Sequence, residues 1–133
     1  MWALAQLPPI LRVPQRVRLV TALVLGATGI VVALAGIASF RRARTTVNPL
    51  KPETSAALVS TGVYSMTRNP MYLGMLLGLI AWAVYLCSIW SLLGPMLFVL
   101  YITRFQIVPE ERVLGELFGA SFAGYKNRVR RWI

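Results

Sequence analysis

Thr61–Gly74 reads Thr-Gly-Val-Tyr-Ser-Met-Thr-Arg-Asn-Pro-Met-Tyr-Leu-Gly. It combines a turn at Thr61-Gly62, a lone cation at Arg68, an Asn69-Pro70 break and two tyrosines, and it runs directly into a long uncharged stretch. Polar side chains kept beside an apolar run are costly, so they point to function. Beyond that run come Glu110-Glu111 and, among basic residues, Tyr125. The chain has only four acids, all Glu, so an adjacent pair is informative. Each of these residue types has a use. A carboxylate accepts from hydroxyls or pairs with an ammonium. Tyrosine faces favour a cation. Backbone N–H groups around Gly62 and the Asn69-Pro70 turn, with Arg68 beside them, suit a carboxylate. Together they could hold a small, polar, partly cationic molecule next to lipid.

Composition narrows the setting. Of 133 residues 57% are hydrophobic and 14% charged, yet the net charge is +10. That is too apolar for an ordinary soluble domain of this length, and one domain is the sensible count. The cations Arg12, Arg16, Arg18, Arg41, Arg42, Arg44, Arg68 and Arg104 sit just outside apolar runs. This placement fits a membrane face and not nucleic acid. There is no His and one cysteine, Cys87. A His/Cys zinc site, a Ser-His or Cys-His catalytic pair and an internal disulfide are therefore excluded.

The elements that must position these groups follow from the apolar runs. Leu19–Phe40 is 22 residues without a charge, about 33 Å as a helix and enough to cross a hydrocarbon core. Its small-xxx-small pairs, Ala22/Gly26 and Gly29/Ala33, permit close helix packing. Arg41–Ser60 is a polar connector broken at Asn48-Pro49 and Lys51-Pro52. Asn69–Thr103 is 35 residues without a charge. One helix of that length would span about 52 Å, so the run must fold back. A break at Leu86-Cys87-Ser88 gives a transmembrane hairpin with arms 70–86 and 89–105, the second kinked at Pro95. The tail, 106–133, starts a helix at Pro109 with Glu110 and Glu111 in its first turn. Val113, Leu114, Leu117 and Phe118 make one face, Gly119 ends it, and Phe122, Tyr125, Val129 and Trp132 form the apolar side of a basic amphipathic segment on the membrane surface. The fold class is all-α and integral to the membrane: one transmembrane helix, a connector, a hairpin and amphipathic tail helices. The positive-inside rule puts Arg41 onward, with eleven of the fourteen cations, on the cytoplasmic side. In a prokaryote that membrane is the cytoplasmic one.

Gly62-Val63-Tyr64, then Arg68-Asn69-Pro70-Met71-Tyr72-Leu73-Gly74, an apolar hairpin, Glu110-Glu111, Phe118-Gly119, Tyr125 and a basic end resemble the isoprenylcysteine carboxyl methyltransferase and phospholipid N-methyltransferase superfamily. The resemblance covers roughly residues 41–133. It implies S-adenosylmethionine as cofactor, bound by Gly62, Tyr64, Asn69, Pro70, Met71, Tyr72, Glu110 and Tyr125, and by the preceding strip Ala56, Ala57, Leu58 and Val59. It implies a lipophilic methyl acceptor, either an isoprenylcysteine-like carboxylate or a lipid amine, reached from the bilayer. Methyl transfer is an in-line displacement that needs no metal, and the candidate catalytic residues are Arg68 and Glu111, with Glu110 or Glu111 the nearby carboxylate able to take a proton from an amine. Oligomeric state is open. Asn69 stands where many relatives have His: a hydrogen-bond donor survives that exchange, a titrating imidazole does not. Relatives also carry at least one more membrane helix, and Met1–Val17 resembles the end of one followed by a loop. The alternative is a non-catalytic membrane scaffold or subunit of the same fold.

Overall fold

The computed structural model describes residues 1–3, 6, 13–43 and 58–133. Among them are four α-helices and no β-strand: α1 (Gln15–Arg42), α2 (Pro70–Leu86), α3 (Leu93–Ile102) and α4 (Val108–Arg128). Short 3-10 turns lie at Gly62–Ser65 and Ile89–Leu92, and a π segment, Thr103–Ile107, joins α3 to α4.

Helix α1 runs past the predicted 19–40 at both ends. Pro14 precedes it, where a missing donor costs nothing, and Arg41 and Arg42 occupy its last turn, where cations complement the helix dipole. Leu23, Val24, Ile30, Val31 and Leu34 on its outer side are exposed. An apolar surface this large with no protein over it suits lipid. The opposite side packs on α2 by close backbone approach. A Cβ on Gly74 would lie 2.5 Å from the Gly29 carbonyl oxygen and 2.8 Å from Ala33 Cβ, and one on Gly29 would lie 2.7 Å from the Gly74 oxygen. Gly29/Ala33 is thus a working small-residue pair, with Gly74 as its partner. Gly26 meets only Ala81 Cβ, at 3.9 Å, an ordinary contact.

Helix α2 spans the predicted residues, with Pro70 in its first turn. It ends at Cys87, which adopts a left-handed conformation (φ 55°). The Cys87 N–H donates to the Ala83 and Val84 carbonyls at 3.1 and 3.2 Å, as such a cap does. The buried Ser91 hydroxyl secures the turn from the other side, donating to Ala83 O at 3.1 Å and Ser88 O at 2.5 Å. The chain then runs back along α2. Trp82, Tyr85 and Trp90 ring this turn, all partly exposed, with Trp82 stacked on Tyr85.

Two expectations are corrected on the return. Pro95 lies in the first turn of α3 and makes no kink, because residues there have no intrahelical acceptor to lose. Pro109 does not begin a helix. Residues 102, 103, 107 and 108 are all in right-handed helical conformation, so the backbone coils on from α3 into α4. A proline ring inside a helix collides with the carbonyl four residues back, here Phe105. Phe105 belongs to the π segment, whose wider turn moves that carbonyl aside. Glu110 and Glu111 therefore do not sit at a free helix start, and the dipole does not account for them.

Two helical stretches are long and apolar enough to cross a membrane, Gln15–Arg42 and Ile89–Arg128, and Pro70–Leu86 is a shorter apolar helix. The uncharged part of the second stretch ends at Thr103. Gly119 (φ 48°) breaks α4 as expected, a conformation glycine adopts without penalty. Beyond it, Phe122, Tyr125 and Val129 are buried against Leu58, Leu114 and Phe118. The apolar side of the tail thus packs into the protein, while Leu117 stays exposed.

Candidate active site

The 3-10 turn Gly62–Ser65 follows Gly62 (φ 63°) and places Tyr64 against Phe40 near the end of α1, ring centroids 5.3 Å apart and nearly perpendicular. Tyr64 is buried. The Tyr125 hydroxyl reaches across to donate to the Tyr64 carbonyl at 2.8 Å. Burial pushes the Tyr64 phenol up, with Tyr125 and Glu110 adding to the shift, and burial raises Tyr125 to about 12 against the opposing charge of Arg68. Both phenols are neutral donors across the physiological range.

Folding α3 back along α2 brings Tyr72, in the first turn of α2, to Glu110. The Tyr72 hydroxyl donates to Glu110 Oε1 at 2.8 Å. Gln106, one helical turn before Glu110, donates from Nε2 to the same oxygen at 2.8 Å. The carboxylate is thus fixed by two neutral donors. Burial pushes its pKa above the ordinary range, the Gln106 and Tyr72 hydrogen bonds pull it back, and Glu111 raises it further. Among the described residues no cation pairs with Glu110.

Glu111 has the opposite environment. Arg131 grips it in a fork, Nη2 to Oε2 at 2.8 Å and Nε to Oε1 at 3.1 Å, and Arg68 Nη1 lies 2.9 Å from Oε1. Both oxygens are engaged by guanidinium groups. Among the described residues Arg68 Nε and Nη1 are both buried without a hydrogen-bond acceptor, so the contact of Nη1 with Glu111 is an ion pair by proximity and not an aligned hydrogen bond. The two residues expected to be catalytic are therefore each other's partners, and Glu111 presents no unengaged oxygen for proton transfer.

Asn69 ties the C-terminal tail to this cluster. Its Nδ2 donates to Arg131 O at 2.9 Å, the Thr67 hydroxyl donates to the same carbonyl at 3.3 Å, and the Arg68 N–H donates to Arg130 O at 3.1 Å. Pro70 and Met71 pack against Gly36 of α1. Val59 is buried and Leu58 packs on the tail core. Ala56 and Ala57 lie outside the described residues. The fold therefore gathers Tyr64, Arg68, Asn69, Tyr72, Glu110, Glu111 and Tyr125 at one end of α2. Gln106 and Arg131 were not anticipated. Gln106 is four residues before Glu110 on one helix face, a spacing that signals side-chain contact. Arg131 is one of several cations in the basic tail, with nothing in the sequence to single it out.

Comparison with known proteins shows what the chain is similar to. An uncharacterized protein of Haemophilus influenzae is 44% identical over 63 residues, which is 47% of this chain and 100% of that protein. The protein-S-isoprenylcysteine O-methyltransferase of Saccharomyces cerevisiae is 38% identical over 82 residues, 59% of this chain but 33% of the yeast protein. The chain thus spans about a third of the yeast enzyme's length. No solved structure matches it. The family model described as phospholipid methyltransferase matches residues 17–121. That range holds α1, the Tyr64 turn, the Arg68–Tyr72 motif and both members of the Tyr72–Glu110 contact, and this chain belongs to the phospholipid methyltransferase family.

Proposed function

We propose that this protein catalyses S-adenosylmethionine-dependent methyl transfer to a lipophilic acceptor at the membrane–cytoplasm interface, with the site and C-terminus on the cytoplasmic side. The observation that carries the reading is Glu110: a half-buried carboxylate, oriented by Tyr72 and Gln106 and left, among the described residues, without a cation of its own. A carboxylate so held favours a ligand that brings an ammonium or a diol. Tyr64, near enough to feel the charge of Glu110, adds an aromatic ring of the kind that suits a cationic ligand. These groups fit S-adenosylmethionine, which supplies an electrophilic methyl on a sulfonium centre. Glu110 would hold its ammonium or ribose diol, and Tyr64 and Tyr72 would line the pocket.

Within this reading Arg68, Glu111 and Arg131 form a brace that fixes the tail over the site, and Asn69 latches it. Positioning is the main catalytic contribution, since methyl transfer is an in-line displacement without a metal. A carboxylate acceptor has no proton to lose. An amine acceptor has one, and Glu110, with its raised pKa, is the carboxylate better suited to take it.

Membranes containing the protein, incubated with methyl-labelled S-adenosylmethionine and extracted into organic solvent, test this. Label should enter a lipophilic product and vanish with Glu110→Gln. Release of labelled methanol by mild base identifies a methyl ester, and base-stable label an N-methyl lipid. Label no higher than in control membranes, with folded protein present, refutes the proposal.

A further inference from the structure

At the opposite end of α2 from Tyr72 lies a second feature. Cys87 is fifteen residues beyond Tyr72, about 22 Å along the helix. There the first turns of α1, the end of α2 and the returning turn enclose a groove of about 250 Å³. Its walls are mostly apolar, with Val17, Val84 and Leu92 among the lining residues. Arg18, Thr21 and Ser88 line it as well.

Two polar atoms here have no hydrogen-bond partner among the described residues. Arg18 Nε is buried and unpartnered, and so is the hydroxyl of Ser88, a residue only 3% exposed. Arg18 makes no ion pair among the described residues, and the described acids, Glu110, Glu111 and Glu116, all belong to the other end of the molecule. Charge here is concentrated and one-sided. Arg16 flanks the groove, and α1 begins without an acidic residue or a side-chain cap. A helix N-terminus whose groove-lining Arg18 has no counter-charge among the described residues favours an anion. A guanidinium prefers a phosphate, which its fork can bind at two points. Apolar walls running from such a cation accommodate an acyl chain.

We infer that this groove binds an anionic phospholipid, its phosphate on Arg18 and Ser88 and an acyl chain along Val17, Val84 and Leu92, at the bilayer face opposite the Glu110 site. Thr21, whose side of α1 is exposed, offers a further hydroxyl to the headgroup. The site is separate from the proposed methyl-transfer site and does not depend on it.

Native mass spectrometry of the full chain, delipidated in mild detergent and titrated with phosphatidylglycerol, tests the inference. Diacylglycerol with the same chains is the comparison. The wild type should retain phosphatidylglycerol and release diacylglycerol. Arg18→Gln should lower retention roughly tenfold. Arg16→Gln, outside the groove, should leave it within about twofold. Leu92→Glu should also abolish retention by placing a carboxylate in the groove, with circular dichroism confirming that the variant keeps its helices. Unchanged retention in Arg18→Gln or Leu92→Glu, equal retention of diacylglycerol, or equal loss in Arg16→Gln overturns the site. The last result would mean diffuse surface charge only.

Discussion

Replacing Asn69 with Ala removes one hydrogen bond, from Nδ2 to Arg131 O at 2.9 Å. It removes no helix cap, because the Asn69 side chain makes no capping bond to α2. Arg131 O keeps the Thr67 hydroxyl at 3.3 Å, so no buried acceptor is orphaned. The cost is therefore that of a single net hydrogen bond, about 1 kcal/mol, or about fivefold in the tail's docking equilibrium. A backbone amide reports that equilibrium directly: the Arg68 N–H donates to Arg130 O on the docked tail. Its hydrogen exchange, measured by NMR in detergent micelles, should quicken about fivefold. The Leu73 N–H, which donates to Asn69 O at 2.9 Å within α2, should not change. Asn69→His discriminates further. Imidazole Nδ1 occupies the place on Cγ that Nδ2 occupies in Asn, so an Nδ1–H tautomer can donate the same bond. The His variant should keep wild-type protection at Arg68. Equal exchange in wild type and Asn69→Ala, or loss in Asn69→His as large as in Asn69→Ala, refutes the latch.

Other expectations follow from the same contacts. Gly74→Ala drives a Cβ to 2.5 Å from Gly29 O and should cost about 1–3 kcal/mol by forcing α1 from α2; Gly78→Ala, inside the same helix with nothing within 4 Å, should hold or raise the thermal midpoint. Tyr72→Phe removes a donor to a carboxylate, worth about 1.5–3 kcal/mol, and should weaken S-adenosylhomocysteine affinity at least about tenfold while the fold persists by circular dichroism. Binding should fall with pH as Glu110 protonates, at a pH above the usual carboxylate range because burial raises its pKa; Glu110→Gln removes that step from the affinity profile. For stability the sign is opposite: the unfolded chain releases this proton first, so Glu110 lowers stability as pH climbs from its unfolded toward its folded pKa.

Much of the frame was legible because length and charge decide it. An uncharged run of 35 residues cannot cross a bilayer once, so a reversal was required, and Leu86-Cys87-Ser88 supplies it. Proline at the start of α2 and the cations ending α1 marked those termini. What remained hidden depends on the return path. Proline usually signals a boundary, and only a π turn lets the helix run through Pro109. That continuity sets which carboxylate faces Tyr72 and which faces the arginines. The two glutamates are equivalent as letters, but neighbours on a helix point about 100° apart, and only the packed partners separate a half-buried Glu110, held by neutral donors, from a braced Glu111. Arg131 was invisible for a related reason: its carbonyl and guanidinium are used after the tail folds onto Thr67 and Asn69, a contact more than sixty residues apart in sequence.

Isothermal titration of S-adenosylhomocysteine into the purified, monodisperse protein and its Glu110→Gln variant tests the central claim most directly. Saturable binding by the wild type, lost in a variant that remains folded, is the predicted result. Absence of binding to the folded wild type, or equal binding by both proteins, would contradict the account.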